Sequence, residues 1–182
     1  MAKICISVKT AFRQRWIENG LLEMMQEKKY EDISVTDLCQ YLELSRRSFY
    51  RYFDSIEDVL DSLMNHTFQE MAITDSSMTL ALLEEDYEFW FRRKELLNAL
   101  AGSGMYTKIT QYALKYTDTE ALKKHLSDED LKMELTKEMN LFVISGLSSL
   151  LISWHAEGFQ KTPKQMAQIA YRMLYQNLLT RP

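Results

Sequence analysis

Apolar residues recur along this chain at helical rather than strand spacing. From Ser7 to Lys28, the positions Ala11, Phe12, Trp16, Ile17, Leu21, Leu22 and Met25 return every three to five residues, which predicts a first helix with one buried stripe. The polar run Lys28-Lys29-Tyr30-Glu31-Asp32 ends it. Ser34-Val35-Thr36-Asp37 then has the form of a capping box, the serine oxygen accepting from the amide three residues on while the aspartate reaches back. The helix it opens is short, with Val35, Leu38, Cys39 and Leu42 on one side, and Glu43-Leu44 is the turn after it. Ser45 caps a second short helix running from Arg46 to Phe53, and Ser55, with Asp58 at its box position, caps a longer one to about Glu70.

The remainder reads as longer helices near 76–91, 93–100, 105–116, 128–156 and 163–179. Ala101-Gly102-Ser103-Gly104 and Thr117-Asp118-Thr119 are breaks, and Thr162-Pro163-Lys164-Gln165 is a start, with Thr as cap and Pro in the first helical position. Period-2 runs bounded by turn residues are not evident. Five Gly and two Pro among 182 residues leave few breakers, so the fold class is all-α. The expected organisation is an N-terminal head of short helices over 1–54, a linking helix over 55–70 and a C-terminal domain over 71–182.

Composition narrows the function classes. With 46% hydrophobic residues the chain can bury a real core. Cys5 and Cys39 have no metal-ligand neighbours, and His66, His125 and His155 are scattered, so neither a disulfide framework nor a metal site is expected. The most apolar segment, Leu141 to Trp154, is too short and too serine-rich to span a bilayer, and the N-terminal apolar stretch is too interrupted for a signal segment. A soluble cytoplasmic protein is expected. No nucleophile–base pair, metal set or phosphate loop is visible, so no catalytic residues and no cofactor are assigned. The net charge of −4 does not by itself suggest a nucleic-acid partner, but residues 1–53 carry nine Lys or Arg against seven acids, leaving thirteen against nineteen in the remainder.

Two short helices joined by a tight turn, the second opening on paired arginines, describe a helix-turn-helix. Ser45, Arg46, Arg47 and Ser48 occupy the N-terminus of the second helix, where donors reach base edges and the helix dipole favours a phosphate. Phe49 and Phe53, four apart, face inward, which leaves Arg46, Arg47, Tyr50 and Arg51 displayed and Tyr52 partly so. Guanidinium and phenol groups suit phosphate and base contacts.

The ordered run from Ile33-Ser34-Val35-Thr36-Asp37-Leu38-Cys39 through Leu44-Ser45-Arg46-Arg47-Ser48-Phe49-Tyr50-Arg51-Tyr52-Phe53 to Ser55-Ile56-Glu57-Asp58-Val59-Leu60 resembles the TetR-family DNA-binding domain, over about residues 10–64. The resemblance implies a recognition helix at about 45–52, a backbone contact from Thr36, phosphate contacts from Tyr50 and Tyr52, and base reading by Arg46 and Arg47. The family often has Gly where this chain has Glu43, and a phosphate-binding Lys where it has Ile56. Both departures imply weaker DNA binding.

The C-terminal segment, with Phe142-Val143-Ile144-Ser145-Gly146-Leu147, Trp154, Glu157-Gly158-Phe159, Pro163 and Met166-Ala167, resembles the last two helices of one branch of the family. There such helices pair across a homodimer, which implies an interface drawn from Phe142, Gly146, Leu150, Trp154, Met166 and Ala170, with small residues allowing close approach. The family places a small-molecule pocket among its central helices. That implies an apolar or aromatic effector held by residues such as Tyr87, Trp90, Phe91, Met105, Tyr106 and Tyr112, although rings at helical spacing are more often core. Glu84-Glu85-Asp86 and Asp128-Glu129-Asp130 are acidic runs, the second placed as helix-start electrostatics. The expected function is a homodimeric, ligand-responsive repressor on a palindromic operator of double-stranded DNA. The alternative is a TetR-like adaptor or coactivator acting through a protein partner.

Overall fold

In the computed structural model the described residues are 8–71, 79–116 and 137–177, and every regular element among them is helical. They are α1 (Val8–Met24), a 3-10 turn (Tyr30–Asp32), α2 (Val35–Tyr41), α3 (Arg46–Phe49), α4 (Ile56–Met71), α5 (Leu80–Phe91), α6 (Lys94–Gly102), α7 (Thr107–Tyr116), α8 (Lys137–Ala156) and α9 (Pro163–Asn177). The bounds expected for α1, α4, α5, α6 and α7 shift by a few residues, and positions 178–179 of the last expected helix lie outside the described residues. The acidic run at 128–130 and His125 lie outside the described residues.

Contacts divide the chain into two compact units: the segment ending at Glu70 together with Glu95–Met105, and Met71–Lys94 together with the segment from Tyr106 onward. The expected domain over 71–182 therefore loses α6 to the first unit. The reason is local: the Gln26 side chain donates to the Glu95 carbonyl at 3.0 Å, and the Tyr30 amide donates to the Ser103 hydroxyl at 2.9 Å. Leu96, Leu97, Ala99 and Leu100 give α6 an apolar face that is buried in this unit.

In the first unit, the inward stripe of α1 is Gln14, Ile17, Glu18, Leu21 and Met24, at spacings of three and four. Phe12, expected in that stripe, is instead 71% exposed, because it falls off the face that Ile17 and Leu21 define. Gly20 lets α1 and α2 approach: a Cβ there would sit 2.6 Å from Leu42 Cδ2. Glu18 is fully buried and earns its place through partners on α4. Ser62 donates to one of its oxygens at 2.7 Å and His66 Nδ1 lies 3.0 Å from the other, while Arg15 sits 3.6 Å away. Arg15 also reaches Glu70 at 2.6 Å, so α1 and α4 are joined by a chain of polar contacts as well as by core packing.

In the second unit α5 packs along α9 and α7 against α8. The start of α9 is the expected box: the Thr162 amide donates to Gln165 Oε1 at 2.8 Å and the Gln165 amide to Thr162 Oγ1 at 3.3 Å. After α8 the chain turns through Gly158 and Phe159, both in the left-handed region. The Trp154 indole donates to the Lys161 carbonyl at 2.9 Å and pins that turn.

Candidate nucleic-acid interface and internal polar site

Three serine caps build the head. At Ser34 both halves of the box form: its hydroxyl accepts from the Asp37 amide at 3.1 Å, and its amide donates to the Asp37 carboxylate at 2.9 Å. Hydrogen bonds from Ser34 hold the Asp37 carboxyl below the usual carboxylate range. Ser45 Oγ accepts from the Ser48 amide at 3.1 Å, and Ser55 Oγ from the Asp58 amide at 3.1 Å. The Asp58 carboxylate also accepts from the Asp54 amide at 3.1 Å. These caps satisfy amides that a short helix leaves without partners, which is how helices of seven and four residues persist.

The turn between α2 and α3 closes with the Leu44 amide donating to the Cys39 carbonyl at 2.8 Å and the Glu43 amide to the Gln40 carbonyl at 3.2 Å. That geometry needs a left-handed residue, and Glu43 supplies it at φ 49°. A side chain in this region costs roughly 1–2 kcal/mol relative to glycine.

The second helix is shorter than the expected Arg46–Phe53. Regular α-helix stops at Phe49, and the chain continues in tighter turns, the Arg51 amide bonding the Ser48 carbonyl and the Tyr52 amide the Phe49 carbonyl. Phe49 and Phe53 are both fully buried, their rings 6.1 Å apart. Anchored by that pair, Thr36, Ser45, Arg46, Arg47, Tyr50 and Arg51 are exposed, and Ser48 and Tyr52 half-buried. The Arg46 guanidinium lies over the Tyr50 ring and donates to its hydroxyl at 3.3 Å, contacts that raise its pKa above the ordinary value. Ile56 is buried, so the side chain at the start of α4 works in the core and offers nothing to a phosphate. The surface therefore carries three arginines and two phenols on one short, rigidly seated segment.

Residues expected in an effector pocket do not all come together. Met105 belongs to the first unit; Tyr87, Trp90, Phe91, Tyr106 and Tyr112 belong to the second. Within that unit an aromatic chain forms, with Tyr87 edge-on to Trp154 at 5.5 Å, Phe91 stacked on Trp154 at 5.8 Å, and Phe159 against Trp154 at 4.7 Å. Tyr106 hydrogen-bonds His155, whose imidazole burial pushes to a lower pKa. Trp154, expected at a dimer interface, is 1% exposed inside this cluster. Met166 and Ala170, expected beside it, are buried as well, because the face of α9 that carries them packs inward. Of the six, only Phe142 and Gly146 are exposed and Leu150 is half-buried; Phe142 shares its exposure with Leu141 and with Met173 of α9.

Asp86 is the residue that sequence reasoning passed over. Leu83, Asp86, Tyr87 and Trp90 stand at i, i+3, i+4 and i+7, one face of α5. Burial pushes the Asp86 carboxyl up to about 7, partly offset by a hydrogen bond from Trp90. The hydroxyl of the next residue, Tyr87, is buried and has no hydrogen-bond partner among the described residues. Helical spacing with the apolar residues of α5 was the available signal.

Comparison with known proteins agrees with the geometry of the head. Residues 19–63 match the bacterial regulatory proteins of the tetR family. The HTH-type dhaKLM operon transcriptional activator DhaS of Lactococcus lactis subsp. lactis (strain IL1403) is 33% identical over 89 residues, 49% of this chain, and the match spans only 42% of that relative's length. Two solved structures share the fold over nearly the whole chain. The fatty acid degradation regulator FadR from Bacillus halodurans has a TM-score of 0.67 at 16% identity, covering 92% of this chain and 97% of its own. The dihydroxyacetone kinase operon activator DhaS has a TM-score of 0.64 at 17% identity, covering 94% and 97%. All three are described as regulators or activators. The segment 19–63, which holds α2, α3 and their serine caps, is thus similar to the DNA-binding segment of the tetR family of bacterial regulatory proteins.

Proposed function

We propose that the chain acts as a homodimer that binds a palindromic operator, with α3 of each protomer entering successive major grooves, and that it represses transcription until a small effector occupies the second unit. The observation that carries this reading is the outward face of α3: Arg46, Arg47, Tyr50 and Arg51 exposed on a segment nailed down by fully buried Phe49 and Phe53. Arg46 and Arg47 are assigned to base edges, Thr36, Ser45, Ser48, Tyr50, Arg51 and Tyr52 to the backbone. The exposed residues Leu141, Phe142, Gly146 and Met173 are assigned to the partner protomer; among the described residues nothing stands within 4 Å of a Cβ built on Gly146, so another helix has room to approach.

The test is selection of double-stranded DNA fragments by the purified chain, followed by salt-titrated binding to the enriched sequence. A pseudo-palindrome bound with a steep salt dependence is expected. No enrichment, or binding indifferent to salt, rules the reading out. Sedimentation at micromolar concentration should give twice the chain mass, and Phe142→Arg should give one.

A second reading, an adaptor or activator that works through a protein partner, draws support from Glu43, which puts a carboxylate on the turn facing the DNA side. Two of the similar proteins are described as activators. Under that reading the chain alone shows no specific DNA complex.

A further inference from the structure

We infer that the inner face of α5 is the polar end of a ligand site, where the Asp86 carboxylate and the Tyr87 hydroxyl together hold the ammonium group of a small amine with an aromatic or short apolar body. The inference rests on the proposed effector reading and names the chemistry that site selects. The first observation is the Tyr87 hydroxyl: its residue is 1% exposed and the oxygen has no partner among the described residues. Buried hydroxyls are nearly always bonded, so one left over marks a place built for a group that comes and goes.

The second observation is its neighbour. Asp86 stands on the same inward face, takes one hydrogen bond from the Trp90 indole, and keeps enough exposure to be reached from solvent. A carboxylate has room for more donors than one. An ammonium group has three, enough for the carboxylate and the phenol oxygen of these consecutive residues, and it leaves no charge unpaired. An anionic ligand would meet the Asp86 charge, and a purely apolar one would leave both oxygens unsatisfied. Trp154, edge-on to Tyr87 and stacked with Phe91, supplies apolar surface next to that polar end.

The experiment uses the full chain, matched probes with one phenethyl-type body, and calorimetric titration. Phenethylamine should bind best, phenethyl alcohol more weakly, and hydrocinnamate not measurably. Asp86→Asn should weaken the amine roughly tenfold or more while changing the alcohol little. Tyr87→Phe should weaken the amine several-fold yet leave the melting temperature of the ligand-free chain equal to or above the parent's, since it removes an unsatisfied group. Hydrocinnamate binding as tightly as the amine, no binding of any probe, unchanged amine affinity in both variants, or a lower ligand-free melting temperature for Tyr87→Phe would each overturn the inference. Affinity for the selected DNA, measured on the same samples, separates the two levels. If the amine binds through Asp86 and Tyr87 but DNA affinity stays the same, the site stands and the effector reading falls. If hydrocinnamate releases DNA and the amine does not, the effector reading stands and the inference falls.

Discussion

The head and the second unit solve opposite problems with similar helices. In the head, short helices are made viable by caps, and the polar groups that matter point outward from a seat of buried rings. In the second unit, longer helices sustain themselves by packing, with the Tyr87 hydroxyl enclosed among rings and Asp86 half-buried next to it in sequence. An outward site is specified by residues close together in sequence, whereas an inward one is specified by whatever the neighbouring helices bring. The head should therefore be sensitive to its anchors and caps, and the second unit to its proton balance.

The largest effect should come from unseating α3. Phe49→Ala removes a fully buried ring and is expected to cost about 3–5 kcal/mol, melting the head and abolishing DNA binding. Differential scanning calorimetry alongside DNA titration checks it; a head that stayed folded would mean Phe53 alone suffices.

Next comes the proton balance of the second unit. Asp86 has a folded pKa near 7 against 3.8 unfolded, so the folded state holds its proton more tightly. Its contribution to stability is full below pH 3.8 and is lost as the pH rises to about 7. Between pH 5 and 8 the parent should lose roughly 1–3 kcal/mol relative to Asp86→Asn, read from urea melts at each pH. Parallel pH profiles for the two proteins would contradict the burial of that carboxyl.

Smaller effects belong to the local signals. Ser34→Ala should cost about 1 kcal/mol of head stability, with rescue by Ser34→Thr, measured by chemical denaturation. Glu43→Gly should be neutral to stabilising by up to about 1 kcal/mol, because glycine adopts the left-handed turn freely while also loosening the unfolded chain. It should also tighten DNA binding modestly by removing a carboxylate from that face. Weaker binding after this change would mean that Glu43 has a favourable contact.

The same contrast explains what was legible in the sequence. The caps at Ser34, Ser45, Ser55 and Thr162 could be read because capping acts over three or four residues and leaves a fixed spacing. The outward set from Arg46 to Arg51 followed once Phe49 and Phe53 were placed inward. Phe12 was misplaced because spacings of three to five fit more than one stripe, and only α4 decides that the stripe runs through polar Gln14 and Glu18. Trp154, Met166 and Ala170 were placed on an outer face because apolar helix residues look alike from sequence, whether they face their own unit or a partner. Asp86 is masked by its acidic run, and only its spacing of three from Leu83 and four from Trp90 sets it apart from Glu84 and Glu85.

The central claim is that the outward face of α3 reads DNA, and the most direct measurement is binding of Arg46→Ala and Arg47→Ala to the selected fragment and to a scrambled one. Each loss should remove about 1–3 kcal/mol of discrimination between the two, with the fold and the oligomeric state unchanged. Parent-like discrimination in both variants would contradict the account.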